Sequence, residues 1–480
     1  MIKNKKNIII FGASNAGQKM FNILREFNYR VEFFVDNDED KWGAMVYGKS
    51  IRSPQTLKNI DLDRYYVIIG SMYVKEISKE LQTLGLLYKV NFDNMYNYTK
   101  RLIESNFDYF TNKIKKEEPT YYTNKSIFMA LPCGISLGGV ETLSSIISNA
   151  LNEKYDNTYL LNLKPKEDDN LEIIGAKFEE KVIDFYIDDR NYLQSLVQGC
   201  LNLQKYLPIT IIPNHSEEIF LIANILKKIY PDFVKVISIL HSVSDDTYEK
   251  NINYSKIINK FICVSDEIFN KFINLLPERK EDIIAKISPV VIEGKRKRYS
   301  DKEESLKIGF GGRLVKEAKR CDLLINLIDN LESKSINYEF HIAGQGDYYN
   351  IINNFIKDKK LNNKIFLYGQ IPNNKMHEFW RKMDIYVNTS DFEGTSIAML
   401  EALGNGCVPV VTNVSGVKKF ISNALNGFIV DIGDVVGIAD NIEFLHFNRE
   451  KLYEFGDKCI NRVKEICSIE EYIKYLYSIL

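Results

Sequence analysis

Short apolar runs alternate with amphipathic stretches along almost the whole chain. NIIIFGA, YRVEFFVD, YYVIIGS and LYKVNFD read as strands within residues 6–98, and QKMFNILREF and VKEISKELQTLG as helices between some of them. That alternation predicts a parallel sheet with helices on its faces. Residues 99–124 turn polar and charged, with Lys113, Lys115, Lys116, Glu117, Glu118 and Pro119, and read as a helical linker. A second block opens on SIFMALP at 126–132 and runs through IDFYID, TIIPN, VKVISILH and KFICVS to about residue 292. EGKRKRYSDKEES, Glu293 to Ser305, reads as a charged hinge. Its basic cluster, Lys295 to Arg298, is expected to be solvated, with an anionic acceptor or lipid as the alternative. The third block opens on LKIGFGGRL and continues with YEFHIAG, KIFLYGQ, DIYVNTS, VPVVTN and GFIVD, again with helices between. There is no repeat at solenoid periods and no long low-complexity tract.

Composition adds exclusions. The chain has 480 residues, which at about 100–200 residues per domain suggests three domains. A net charge of −1 argues against an electrostatic binder of nucleic acid. The seven cysteines are dispersed and form no Cys-x-x-Cys pair, which fits reduced thiols in a cytosol rather than a disulfide framework or a zinc site. The apolar run Ile8 to Phe11 is too short for a signal-peptide core, and no window of about 18 apolar residues occurs. The expected location is cytoplasmic, with peripheral contact at the inner face of a membrane left open.

The chemistry concentrates between Asp384 and Val411, DIYVNTSDFEGTSIAMLEALGNGCVPVV. A strand runs into a short loop, and Glu393-Gly394-Thr395 opens a helix that carries Glu401. A glycine at 394 lets the backbone approach a ligand closely. Free N–H groups and the positive dipole end of a helix suit a diphosphate. Glu393 and Glu401 are roughly 12 Å apart along a helix at 1.5 Å per residue. That separation suits one carboxylate on sugar hydroxyls and the other on ribose hydroxyls, across a diphosphate.

This segment resembles the two-glutamate donor motif of retaining GT-B glycosyltransferases, especially glycosyltransferase family 4. The resemblance covers about residues 126–465 and is strongest after 306. IGFGGRLVKEAKRCDLLI is similar to the family's Gly-Arg-Leu…Lys segment, which implies Arg313 and Lys319 as cations on the donor diphosphate. The lysine is displaced by one position from the family's usual spacing, so Lys316 is a second candidate. HIAGQGDYYNII resembles the Ala-Gly-x-Gly turn, with Gly344 and Gly346. PCGISLGGVETL resembles the Gly-Gly-x-Glu loop, with Gly138, Gly139 and Glu141, and SILHSVSDDTY places His241 where the family often has a histidine facing the donor sugar. Asn214 and His215 in IIPNHSEE are candidates for the acceptor cleft or a plain strand-end loop.

The resemblance implies a GT-B fold of two Rossmann-like α/β domains facing a cleft, here 125–300 on the acceptor side and 301–480 on the nucleotide-sugar side, with the last helix crossing back. It implies a retaining, metal-independent hexosyl transfer in which a UDP-sugar is a co-substrate and no cofactor is required. Glu393, His241, Arg313 and Lys319 would be the catalytic set. Gly138, Gly139, Gly344, Gly346, Gly394, Thr395 and Glu401 would join in donor binding. A glycan, lipid-linked or protein acceptor follows, in surface-glycan, teichoic-type or protein glycosylation. The competing class is a non-catalytic GT-B scaffold that positions a partner transferase.

Residues 1–98 read as a small Rossmann-like accessory domain, joined by the linker 99–124. GASNAG follows a strand and precedes a helix, with Gly12 and Gly17, while Ser14 replaces the middle glycine of a dinucleotide fingerprint. Asp36 ends the second strand, where such folds hold a ribose. The block resembles domains found ahead of sugar-modifying transferases. Nucleotide binding at Gly12, Ser14, Gly17 and Asp36 stands beside a docking or oligomerising role. Asp36-Asn37-Asp38 imitates a metal-binding Asp-x-Asp, and Tyr96-x-x-x-Lys100 imitates a dehydrogenase pair. Both are expected to be coincidental, and a chain starting near Lys125 is expected to fold by itself.

Overall fold

The computed structural model describes residues 6–114, 126–136, 138–155, 157–292, 297–393 and 396–480. The chain forms two compact units that do not follow chain order. The first takes in residues 1–121, 186–207 and 217–234, and the second takes in 122–185, 208–216 and 235–480.

The first unit is built on a sheet of β1 (Asn7–Phe11), β2 (Val31–Val35), β3 (Met45–Val46), β4 (Lys49–Arg52), β5 (Tyr65–Ile69) and β6 (Phe92–Asn94). The order is β3-β4-β2-β1-β5-β6, parallel apart from the β3–β4 hairpin. Ile9, Phe11, Phe33, Val35, Val67 and Ile69 form its core with Leu57, Ile77 and Leu81. Glycine is required where the first helix meets the strands. A Cβ on Gly17 would lie 1.9 Å from the Gly12 carbonyl oxygen, and one on Gly12 would lie 2.5 Å from that of Gly70.

The stretch read as a linker begins inside packed structure. Helices Met95–Ser105 and Phe107–Lys113 bury Leu102, Ile103 and Phe110, because their apolar residues fall on one face. Residues 115–125 lie outside the described residues. The same unit contains the helices Tyr192–Gln204 and Glu217–Ile229. Glu26 accepts hydrogen bonds from the first backbone N–H groups of the former, Tyr192 at 2.8 Å and Leu193 at 3.0 Å. Lys19 pairs with Asp189 at 3.1 Å and Glu218 at 2.8 Å.

The second unit holds two sheets. One has β7 (Ser126–Leu131), β8 (Thr158–Asn162), β9 (Val182–Asp184), β10 (Ile209–Ile212), β11 (Val234–Leu240), β12 (Lys260–Cys263) and β13 (Ile283–Ala285), ordered β13-β12-β11-β10-β7-β8-β9. The other has β14 (Leu306–Gly311), β15 (Tyr338–Ala343), β16 (Ile365–Gly369), β17 (Ile385–Asn388), β18 (Val408–Thr412) and β19 (Phe428–Val430), ordered β16-β15-β14-β17-β18-β19 and parallel throughout. Central strands such as β7, β10 and β18 are buried at every position. Helices on both faces of a parallel sheet leave no solvent side, so these strands read as continuous apolar runs. The last helix, Ile469–Ser478, returns to the first of these sheets. Tyr477 stacks on Tyr155 with ring centroids 3.8 Å apart, and Lys235 Nζ donates to the Leu480 carbonyl at 2.5 Å.

The described part of the hinge, from Lys297, is less solvated than its charge suggests. Lys297 is buried, donating to the carbonyls of Trp380 and Met383, with the Cys407 thiol 3.3 Å away. Its long stem crosses apolar surface while the ammonium finds carbonyl oxygens. Arg298 stays exposed and pairs with Asp301 and Glu304, and Lys295 and Arg296 lie outside the described residues. Among the described residues no helix is long and apolar enough to cross a membrane.

Candidate active site

The main cavity, about 500 Å³, lies within the second unit and draws on both of its sheets. Gly138, Gly139, His215 and His241 line one wall, and Arg313, Lys319, Glu393 and Glu401 the other. Two helices present their N-terminal turns to it, Gly139–Tyr155 and Ile397–Gly404, so the partial positive charge of both falls on the same space. Ser396 caps the second, accepting from Met399 N at 3.4 Å. Gly394 and Thr395, placed here by sequence, lie outside the described residues.

The carboxylate at the mouth is already engaged. Glu393 forms an ion pair with Lys319, and Ser390 Oγ donates to the same oxygen at 3.0 Å. Both side chains are largely shielded, at 17% and 15% exposure. Lys319 reaches this position because the preceding loop winds tightly, with Ala318 and Arg320 in the left-handed region at φ 62° and 50°. Arg320 grips Asp391 with two bonds of 3.0 Å and also binds Asp322, which fixes the loop against the strand end that carries Glu393. Arg313 lines the cavity, exposed and without an ion-pair partner among the described residues. Lys316, the second lysine candidate, is exposed and does not line it.

Gly344 and Gly346 stand apart from the cavity wall. A Cβ on Gly344 would fall 1.8 Å from the Gly312 carbonyl oxygen, and one on Gly346 would fall 2.5 Å from that of Leu314. Their φ of 148° and 152° and this close approach make them the seat of the loop that carries Arg313. Glu141 plays a similar part opposite, accepting from Cys133 N at 3.1 Å and bracing the turn at Gly138. Burial raises its carboxyl above the usual range.

Glu401 lines the deeper end. Burial pushes its carboxyl up to about 7, against the opposing Asn373 amide, which donates to it at 3.2 Å. A carboxyl whose folded value lies above the ordinary 4.5 holds its proton more tightly in the native state, so stability falls as pH rises from about 4.5 to 7. Glu401→Gln is therefore expected to gain stability over the wild type across that window, with a constant gap above it. Denaturation midpoints at a series of pH values check this, and a gap that does not vary with pH would rule it out.

His241 and His215 meet edge to face, ring centroids 5.1 Å apart. Burial lowers His241 well below the usual imidazole range, with His215 adding to the effect, and lowers His215 to about 4, with Lys250 adding to it. Both shifts favour the uncharged ring. Asn373, Arg320 and Asp391 escaped the sequence reading because each acts on a residue distant in the chain, and Ser390, three residues before Glu393, because it carries no motif. The nearest signal was the polar run NTSD at 388–391 beside the glutamate.

In the first unit, Asp36 and Ser14 of the proposed nucleotide residues are engaged with Lys41 and neighbouring backbone. Asp36 accepts from Ala13 N at 2.8 Å and from Asp38 N at 3.0 Å. Lys41 lies 3.4 Å from Asp36 Oδ2 and donates to Ser14 Oγ at 3.3 Å.

The segment that carries most of this chemistry now has a relative class. Residues 291–462 match the family of glycosyl transferases group 1. Residues 4–90 match a second family, C2185-like, N-terminal. Over 170 residues the chain is 30% identical to poly(ribitol-phosphate) alpha-N-acetylglucosaminyltransferase of Staphylococcus aureus, covering 35% of this chain and 34% of that protein. It is 28% identical over 224 residues to the GPI3 subunit of phosphatidylinositol N-acetylglucosaminyltransferase of Saccharomyces cerevisiae, covering 42% and 48%. The chain thus spans about a third to a half of these curated relatives. Among solved structures, Anabaena HepE in complex with UDP-glucose matches with TM-score 0.61 at 16% identity, over 74% of this chain and all (100%) of that one. A TarM mutant of S. aureus, in complex with Fondaparinux, alpha-GlcNAc-glycerol and UDP, matches with TM-score 0.52 at 16% identity over 99% of both chains. The group 1 segment and the sheet before it have the GT-B fold expected from the sequence, and the small α/β sheet of the first unit precedes them.

Proposed function

We propose that this chain is a retaining glycosyltransferase that moves a hexosyl or N-acetylhexosaminyl group from a UDP-sugar to a hydroxyl acceptor. One observation carries the reading. Arg313, Lys319, Glu393, Glu401 and two helix N-termini converge on one cavity of about 500 Å³, a size typical of small-ligand sites. The group 1 match and the UDP complexes of HepE and TarM support the donor class. The teichoic-type relative supports a polyol-phosphate or surface-glycan acceptor.

The barrier to transfer falls when positive groups meet charge that grows on the leaving diphosphate. Arg313, Lys319 and the N–H groups of the two helix starts supply that charge without a metal. Glu393 holds sugar hydroxyls as the anomeric bond breaks, and Glu401 takes the ribose. The acceptor hydroxyl oxygen attacks on the face the diphosphate leaves, through an oxocarbenium-like transition state, as the anomeric C–O bond to the diphosphate breaks and the departing phosphate oxygen takes the acceptor's proton. No covalent enzyme intermediate is needed, and the product keeps the donor's anomeric configuration.

Incubating the full chain with a panel of nucleotide-sugars, with and without excess EDTA, tests this. A UDP-sugar is expected to be turned over at equal rates in both, and NMR of the product is expected to show retention. No turnover of any nucleotide-sugar would leave the non-catalytic scaffold. Loss in EDTA restored by Mn²⁺ would overturn the metal-free chemistry, and an inverted product would overturn retention.

A further inference from the structure

The chain rises from β10 into a strained corner. Asn214 and His215 both adopt left-handed backbone, at φ 46° and 69°. Asparagine and histidine enter that region more readily than most side chains, yet two in succession are unusual. This corner places the Asn214 side chain, fully buried, between the cavity and the first helix of the second unit.

The hydrogen bonds around Asn214 run in one direction only. Ser144 Oγ donates to the Val140 carbonyl at 2.7 Å, so its oxygen is left to accept. Asn214 Nδ2 donates to that oxygen at 2.8 Å and to the Ala130 carbonyl at 2.9 Å. Both amide protons are then used, and the opposite amide orientation would set Oδ1 against a carbonyl. Oδ1 therefore faces His241 Nε2, 3.0 Å away, and a carbonyl-type oxygen can only accept. His241 must carry its proton on Nε2. Its Nδ1 has no partner among the described residues, and the side chain lines the cavity.

We infer that Asn214 is a positioning residue that holds His241 as the Nε2–H tautomer with a bare Nδ1, so that the group of the sugar or acceptor meeting this ring must be a hydrogen-bond donor, a hydroxyl or an amide N–H, and not a carboxylate. The inference rests on the proposed transfer reading for the identity of that ligand alone. The low proton affinity of His241 agrees with it, since an unprotonated Nδ1 persists across neutral pH. The groups around the ring are His215 at 5.1 Å and, beyond it, Lys250, which donates to the His215 carbonyl at 2.9 Å and pairs with Asp246 at 3.5 Å.

The test uses the full chain labelled with ¹⁵N-histidine. Two-bond ¹H–¹⁵N correlations distinguish the two tautomers and the charged ring, and the signal absent in His241→Gln assigns the residue. The expected result is an Nε2–H tautomer that does not titrate between about pH 5.5 and 8. A proton on Nδ1, or a charged ring at neutral pH, would overturn the inference without any variant of Asn214. Asn214→Asp keeps the shape and places a carboxylate on Nε2. It is expected to raise the His241 value into that range and to give the rate of donor turnover a new pH-dependent step. A merely structural Asn214 would lower the amount of folded protein and leave the pH profile unchanged. An Nε2–H ring in a chain that turns over no nucleotide-sugar would sink the proposed transfer and leave the positioning role standing.

Discussion

Lys319→Ala is expected to lower turnover by about 10²- to 10³-fold, the usual cost of removing one preorganised group that meets developing charge. The loss has two parts. The cation on the diphosphate disappears, and Glu393, its ion-pair partner, is left facing the incoming anion. Like charges in a shielded site repel more strongly than at the surface. Glu393→Ala is expected to cost about 10- to 150-fold, the worth of hydrogen bonds to a charged group. The double variant Lys319→Ala with Glu393→Gln should bind UDP more tightly than Lys319→Ala alone, because the uncompensated carboxylate is gone. Calorimetry on the wild type, Lys319→Ala, Glu393→Gln and the double variant gives the coupling directly. Strict additivity would mean that the two side chains do not act as a pair in solution.

A chain that begins at residue 125 is expected not to reach a native fold, against the separable accessory domain suggested by the polar stretch. The first unit contains the helices Tyr192–Gln204 and Glu217–Ile229 together with the N-terminal sheet. Truncation removes Lys19 and Glu26, so Asp189 and Glu218 lose their pairing with Lys19, and the Tyr192 and Leu193 N–H groups lose the Glu26 carboxylate. Partly exposed ion pairs are worth about 0.2–1 kcal/mol each, and the larger loss is the N-terminal sheet of the unit to which both helices belong. The truncated protein should aggregate and show no cooperative melting transition, as scanning calorimetry would show. A monomeric truncation with the wild-type midpoint would restore the independent domain. The milder variant Lys19→Met probes the same contact in the whole chain.

The sequence by itself determined the alternation of strand and helix, the three sheets and the strand ends that carry the chemistry. Those features are local. A buried parallel strand is a short apolar run, and a glycine beside a close backbone approach has no substitute. Hence β1, β7, β14 and β17 lie within the runs NIIIFGA, SIFMALP, LKIGFGGRL and DIYVNTS. Arg313 and Glu393 were legible because each follows such a run directly. β3 and β4 carried no comparable signal, since a two-residue strand has no periodicity.

Tertiary structure alone decided how charges and protons are arranged. The resemblance put Lys319 before Lys316, and it is Lys319 that lines the cavity, between Ala318 and Arg320 whose left-handed backbone no residue spacing records. Gly344 and Gly346 lie against the Gly312 and Leu314 carbonyls and seat the loop of Arg313, a packing role their motif alone does not reveal. Lys297 looked solvated and is buried among carbonyls. The proton on His241 follows from Asn214, Ser144, Ala130 and Val140, which lie far from it in the chain. A hydrogen bond or ion pair depends on where two distant segments meet, and the spacing of residues along one segment holds no record of that meeting.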